Sequence, residues 1–210
     1  MSDLDCPTRP RKREMPPPQA FRDLHRRRAE PDCPTPPQAL PRLPRRRAEP
    51  RLHVTFICTG NICRSPMAEK MFAHQISQRG LGDVVRVTSA GIGCWHVGKC
   101  ADERASRVLQ SHGYPTEHSA AQVNPGHLTA DLVVALGRNH VGWLRQYGVD
   151  PSRIRMLRSF DPRSGAYALD VADPYYGDHD DFEEILAIIE AALPGLHNWV
   201  DERLAGNGQR

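Results

Sequence analysis

The segment that most constrains this chain is Ala130-Asp131-Leu132-Val133-Val134-Ala135-Leu136. From Leu132 onward it is apolar at every position, with no polar alternation. A strand with one face in water alternates. A strand apolar throughout is covered on both faces, which is the habit of a parallel sheet between helices. The flanking sequence agrees. Leu52–Cys58 is predicted as a short strand, followed by a glycine turn and a helix over roughly 65–80. Val84–Ser89 is a second strand, and a helix near 101–112 ends at Gly113. A further helix near 138–147 ends at Gly148, and Ile154–Leu157 is a fourth strand. The last helix begins near Asp180-Asp181, whose carboxylates suit a helix N-terminus. It carries Phe182, Ile185, Leu186, Ile189 and Leu193 on an apolar face, with a break or kink expected at Pro194-Gly195 and a continuation through Trp199 to Leu204. Strands alternating with helices predict an α/β, three-layer sandwich around a small, four-stranded, mostly parallel twisted sheet.

The first quarter of the chain is different material. Residues 1–50 hold 12 Lys/Arg against 7 Asp/Glu and 12 of the 19 prolines, whereas residues 51–210 hold 16 against 18. Pro17-Pro18-Gln19-Ala20 with Arg26-Arg27-Arg28-Ala29-Glu30-Pro31 recurs as Pro36-Pro37-Gln38-Ala39 with Arg45-Arg46-Arg47-Ala48-Glu49-Pro50. With few large apolar residues to bury, this segment is expected to be a disordered tail. Arg triplets suit nucleic acid or an acidic surface, but the composition favours a passive extension. The expected organisation is therefore a tail over 1–50, a catalytic domain over 51–205 and a flexible end over 206–210. The apolar run 132–136 is far short of the ~20 residues a membrane-spanning helix needs. Residues 1–30 hold no apolar core of a secretory signal, and six cysteines are too few for a disulfide scaffold. A reducing, cytoplasmic setting is expected, with a non-classical export route left open.

The chemistry lies where the first strand ends: Cys58-Thr59-Gly60-Asn61-Ile62-Cys63-Arg64-Ser65-Pro66. Pro66 opens a helix. A loop running from a strand into a helix N-terminus can turn successive backbone N–H groups inward, making an anion cradle. Gly60 and Asn61 tolerate the left-handed backbone that a tight cradle needs. Arg64 offers a planar fork for two phosphoryl oxygens. The same positive field favours a thiolate at Cys58, and the thiolate is the nucleophile. Ser65 can donate a hydrogen bond to that sulfur. The cradle itself would be Thr59, Gly60, Asn61, Ile62, Cys63 and Ser65.

Five stretches together resemble the low-molecular-weight protein tyrosine phosphatase family over residues 53–204. They are Cys58–Glu69, Thr88–Gly91, Trp95-His96-Val97-Gly98, His112–His118 and Asp173–Gly177. The resemblance implies Cys58 as nucleophile, Arg64 as phosphate clamp and Asp173 as general acid and base. It implies that Asn61, Ser89 and His118 brace the loop, and that Trp95, Tyr175 and Tyr176 wall an aromatic slot. It also implies phosphotyrosine proteins as substrates and suggests a tyrosine kinase acting on Tyr175 and Tyr176. One departure stands out. Gly137 sits where family members usually carry Asp, which takes a carboxylate out of the polar network near the site.

No metal and no cofactor is expected. Asp178-His179-Asp180-Asp181 suits a helix start better than a metal site. Cys94, His96 and Cys100 lack zinc spacing. Two alternatives are weighed. An arsenate reductase of the same fold would need resolving cysteines near 130–140, where there are none. A non-catalytic phosphotyrosine-binding module would not need Cys58, Arg64 and Asp173 together.

Overall fold

A computed structural model describes residues 51–165 and 168–207 of the chain. The disorder expected of residues 1–50 lies outside the described residues, as does 208–210 of the flexible end expected over 206–210. Four strands form: β1 (Leu52–Cys58), β2 (Val85–Gly91), β3 (Leu132–Ala135) and β4 (Ile154–Met156). Between and after them run α1 (Arg64–Gln78), α2 (Glu103–Ser111), the one-turn α3 (Pro125–Leu128), α4 (Arg138–Gln146) and α5 (His179–Asn207). The sheet order is β2-β1-β3-β4, with every pair parallel.

Both faces of the sheet are covered, as the unbroken apolar run in β3 requires. On one face Val54, Phe56, Leu132 and Val134 join Met71, Phe72, Leu109 and Ile185 from α1, α2 and α5. On the other Ile57, Val133 and Ala135 meet Leu144 of α4 and Val149 after it. The chain steps from β1 to β2 on one side, then returns past β1 to β3. That reversal leaves a crevice outside the carboxyl ends of β1 and β3, the usual ligand site of open parallel sheets. Cys58 is the last residue of β1, and Leu136-Gly137 follow β3.

Helix ends follow the sequence signals. Gly113 and Gly148 adopt φ +77° and +81° just past α2 and α4. The next N–H then folds back, Tyr114 N–H to Leu109 O at 2.9 Å and Val149 N–H to Leu144 O at 3.1 Å. Asp178 caps α5 by accepting from the N–H of Asp180 at 2.9 Å, while Asp181 accepts from Asp178 N–H at 2.7 Å. This reciprocal cap uses the carboxylates of the Asp178–Asp181 cluster.

At Pro194-Gly195, where a break or kink is expected, the helix does not end: α5 runs on through the expected continuation to Leu204 and reaches Asn207, two residues past the expected domain end. Phe182, Ile185 and Ile189 before the proline, and Leu196 and Val200 after it, are buried in one core. Shared burial holds both halves on one path despite the missing N–H. Gly195 is needed there for another reason. A Cβ on it would lie 2.1 Å from Phe160 O, in the 3₁₀ turn Leu157–Phe160 against which the helix packs. Among the described residues no helix is long and apolar enough to cross a membrane.

Candidate active site

The loop from Cys58 to Ser65 owes its shape to its carbonyls. Thr59 O accepts from Gly93 N–H at 2.9 Å, Ile62 O from Asp102 N–H at 2.7 Å and Cys63 O from Met67 N–H at 3.2 Å. Asn61 O is bonded to His118 Nε2 at 2.8 Å. A trans peptide holds C=O and N–H in opposite directions. Tying these carbonyls to surrounding elements therefore turns the following N–H groups toward the centre of the loop. Asn61 N–H points at Cys58 Sγ, 3.3 Å away. Asn61 itself adopts φ +55°, as its residue type allowed. Gly91, at the end of β2, lets the loop press against the sheet: a Cβ there would meet the backbone of Gly60 at 2.9 Å.

The hydrogen-bond directions can be derived. Ala121 N–H donates to Asn61 Oδ1 at 2.8 Å, which fixes the orientation of the amide. Asn61 Nδ2 then donates to Ser65 Oγ and to Ser89 Oγ, each at 2.8 Å. Each hydroxyl keeps its own proton to give away. Ser65 gives its proton to Cys58 Sγ at 2.9 Å, and Ser89 gives its proton to Glu69 Oε2. The buried amide thus leaves both hydroxyl protons free, and toward a Cys58 thiolate, which has none of its own, Ser65 is the donor. Ser89 and His118 thus sit where the resemblance puts them. Glu69, which ends the quoted loop motif, received no role from the sequence and is the carboxylate on which this network terminates. His118 Nδ1 lies 3.9 Å from Glu69. Burial pushes the His118 imidazole toward its neutral form, opposed by the Asn61 carbonyl and Glu69. Burial also drives the Cys63 thiol far above its ordinary range, with Asp102 adding to the effect.

Arg64 is buried at the other rim. Its guanidinium donates to Val171 O at 3.2 Å, Thr59 Oγ1 at 3.3 Å and Asp173 Oδ2 at 2.6 Å. Arg64 Nε is buried with no hydrogen-bond partner among the described residues. Thr59 Oγ1 meets His140 Nε2 at 3.0 Å. Thr59 Oγ1 accepts from Arg64, and the direction of its bond with His140 follows the tautomer of that imidazole. Burial and the nearby Arg64 charge hold His140 at about 3, so it stays neutral. His140 is a contact the sequence reading missed; a helix histidine gives no signal of what it faces.

Beside Gly137 a carboxylate is supplied from elsewhere in the chain. Asp170 Oδ1 accepts from Arg138 N–H at 2.6 Å, at the start of α4, and its Oδ2 from the Arg138 guanidinium at 2.9 Å. A Cβ on Gly137 would lie 3.1 Å from Asp170 Oδ1. His118 does not contact this region; it stays on Asn61 and Glu69.

Asp173 begins the 3₁₀ turn Pro174–Tyr176 and accepts from Tyr175 N–H at 3.4 Å. Tyr175 is 40% and Tyr176 83% exposed, with their rings edge-to-face at 4.9 Å. The Trp95 ring folds back over Gly93, where a Cβ would overlap it. His96, given no role from the sequence, fills the place between the loops. Its ring is 2.9 Å from where a Gly60 Cβ would be, and its centroid is 6.3 Å from that of Tyr175.

An anion cradle between strand end and helix start, with a cysteine beneath it and an arginine across it, marks an α/β phosphate-loop enzyme. The family model for low molecular weight phosphotyrosine protein phosphatases matches residues 53–208, and the chain belongs to that family. It is 75% identical over 157 residues to the low molecular weight protein-tyrosine phosphatase A of Mycobacterium tuberculosis (strain ATCC 25618 / H37Rv), covering 75% of this chain and 96% of that one. It is 47% identical to the low molecular weight protein-tyrosine-phosphatase of Streptomyces coelicolor, covering 73% and 96%. Among solved structures, YfkJ from Bacillus subtilis superposes with a TM-score of 0.67 at 32% identity, covering 73% of this chain and 97% of that one.

Proposed function

We propose that this chain hydrolyses phosphotyrosine in proteins through a phosphocysteine intermediate, with Cys58 as nucleophile, Arg64 as clamp and Asp173 as acid and base. The observation that carries this reading is the unpartnered Nε of buried Arg64 beside inward-turned loop amides. A buried guanidinium donor left without an acceptor is costly, and a phosphoryl oxygen supplies one.

The steps follow from the contacts. The phosphoryl group enters the cradle, and its oxygens compete with Asp173 for Arg64. The freed carboxylate takes up a proton from solvent and, as a carboxylic acid, faces the ester oxygen. The Cys58 thiolate, steadied by Asn61 N–H and Ser65 Oγ–H, attacks phosphorus in line. An S–P bond forms, the P–O bond to tyrosine breaks, and Asp173 gives its proton to the departing phenol. Loop amides and Arg64 offset the charge on the equatorial oxygens. Asp173, now a carboxylate, takes a proton from water as that water attacks phosphorus. The S–P bond breaks, and inorganic phosphate and the thiolate are released.

The test is hydrolysis of para-nitrophenyl phosphate in the presence of a chelator, with vanadate as inhibitor. Turnover that vanadate blocks is the expected result. Arsenate reduction coupled to thiols would instead support a reductase. Binding of phosphotyrosine without turnover would support a recognition module. The cytoplasm suits the reaction, because the thiolate must remain reduced.

A tyrosine kinase belongs to this reading as a partner, because Tyr176 is open to solvent beside the acid. A kinase should label the wild-type chain above the Tyr175→Phe/Tyr176→Phe double variant. Equal labelling removes the kinase from the reading.

A further inference from the structure

The two catalytic loops are far apart in sequence, yet one pair of residues holds both. Asp102 precedes α2. Its backbone N–H donates to Ile62 O, inside the phosphate loop, at 2.7 Å. Its carboxylate is gripped by Arg104 through Nε at 2.9 Å and Nη2 at 2.8 Å. The same guanidinium then reaches the other loop. Arg104 Nη1 donates to Gly177 O at 2.7 Å and Nη2 to Tyr175 O at 3.0 Å. Its plane lies over the Phe182 ring, 4.7 Å from the centroid, at the start of α5. The two bonded carbonyls flank Tyr176 and follow Asp173 by two and four residues.

We propose that Arg104, anchored by Asp102, is a positioning residue that spaces the acid loop from the phosphate loop and so aligns Asp173 over the Cys58 sulfur. The proposal rests on Asp173 being the general acid. Only arginine suits this place. Its planar fork serves a carboxylate along one edge and two carbonyls along the other, where a lysine ammonium is a single point. The pair is permanently charged. Hydrogen bonding between the partners holds the Asp102 carboxyl below its ordinary range and raises Arg104 above its own. The bridge is therefore constant across the pH range in which the enzyme works. Arg104 touches neither the phosphoryl group nor the sulfur. Its effect should appear only where the acid matters.

The experiment uses the full chain and two substrates of similar size, phenyl phosphate and para-nitrophenyl phosphate. The first needs its leaving oxygen protonated and the second needs this far less. The variants are Arg104→Met, which keeps a stem over Phe182, Arg104→Lys, Asp173→Asn, and the double variant Arg104→Met/Asp173→Asn. The readout is kcat/KM, which reports the step that cleaves the ester, together with vanadate affinity and the melting temperature. Misplacing a catalytic group by an ångström can cost about 100-fold, so Arg104→Met should lose about 10–100-fold on phenyl phosphate. On the activated ester the loss should stay under about threefold. Vanadate affinity should not change. Arg104→Lys should restore the melting temperature without removing the difference between substrates, and it carries the test if Arg104→Met does not fold. The double variant should be no worse on phenyl phosphate than Asp173→Asn alone, because both changes act through one group. Equal losses on both substrates, or additive losses in the double variant, would overturn the bridge while leaving the acid assignment intact. Absence of any substrate difference in Asp173→Asn itself would overturn that assignment, and the bridge with it.

Discussion

Cys58→Ser is expected to abolish turnover, a loss on the order of 10⁶-fold, the scale on which removing a nucleophile acts in a covalent mechanism. Vanadate and phosphate should still bind. The cradle is built by Asn61, Arg64, Ser89, Asp102 and His118, none of which depends on sulfur. The variant hydroxyl would receive the same donors, but a serine alkoxide is far harder to form than a thiolate, and no base stands beside it. Calorimetry with vanadate and acid-quench trapping with labelled phosphotyrosine check both halves. The wild type should yield labelled phosphocysteine and the variant none. Residual turnover of a few per cent in the variant would mean that another group attacks phosphorus.

Asp173→Asn should show a different defect. General acid assistance is worth about 10²–10⁴-fold. A phosphotyrosine peptide, with its poor leaving group, should lose most of that in kcat/KM. Para-nitrophenyl phosphate, whose phenolate leaves readily, should lose much less. A burst measurement separates cleavage from hydrolysis of the intermediate, the step for which Asp173 is proposed as base. Equal defects in the cleavage step would point away from Asp173. The structure leaves little choice of replacement: Asp170 is held by Arg138, and Asp178 caps α5. The loss should also exceed any change in stability. Asp173 is half exposed, and an ion pair with such a partner contributes little to folding.

The layers and the parallel sheet were legible because their signals are local. An unbroken apolar run dictates a doubly covered strand, and glycines past α2 and α4 mark helix ends by backbone freedom alone. Cys58, Arg64, Asn61 and Ser65 were legible for the same reason, as one contiguous loop. At Pro194 a local rule left break and kink both open, because the deciding cause is long-range. The core buries both halves of α5, and no pattern near the proline announces that. Glu69, His96, Asp102, Arg104 and His140 were invisible as partners. A carboxylate on α1 or a histidine on α4 has the same sequence appearance whether it faces water or a catalytic loop. Gly137 shows the limit from the other side. The glycine is evident in the sequence, but the Asp170 carboxylate that accepts from Arg138 N–H at the start of α4 comes from 32 residues beyond that arginine.

The strand order has a consequence for how the enzyme comes into being. β1 is the first element of the sheet in the chain, yet it lies between β2 and β3. Its loop is fastened by groups 28, 57, 60 and 109 residues distant. Such closures are entropically costly and come late in folding, after local helices have formed. A nascent chain that has released Cys58 but not Asp173 therefore lacks the last of these fastenings. The loop that follows β1 cannot be completed until the chain has been made at least as far as Asp173.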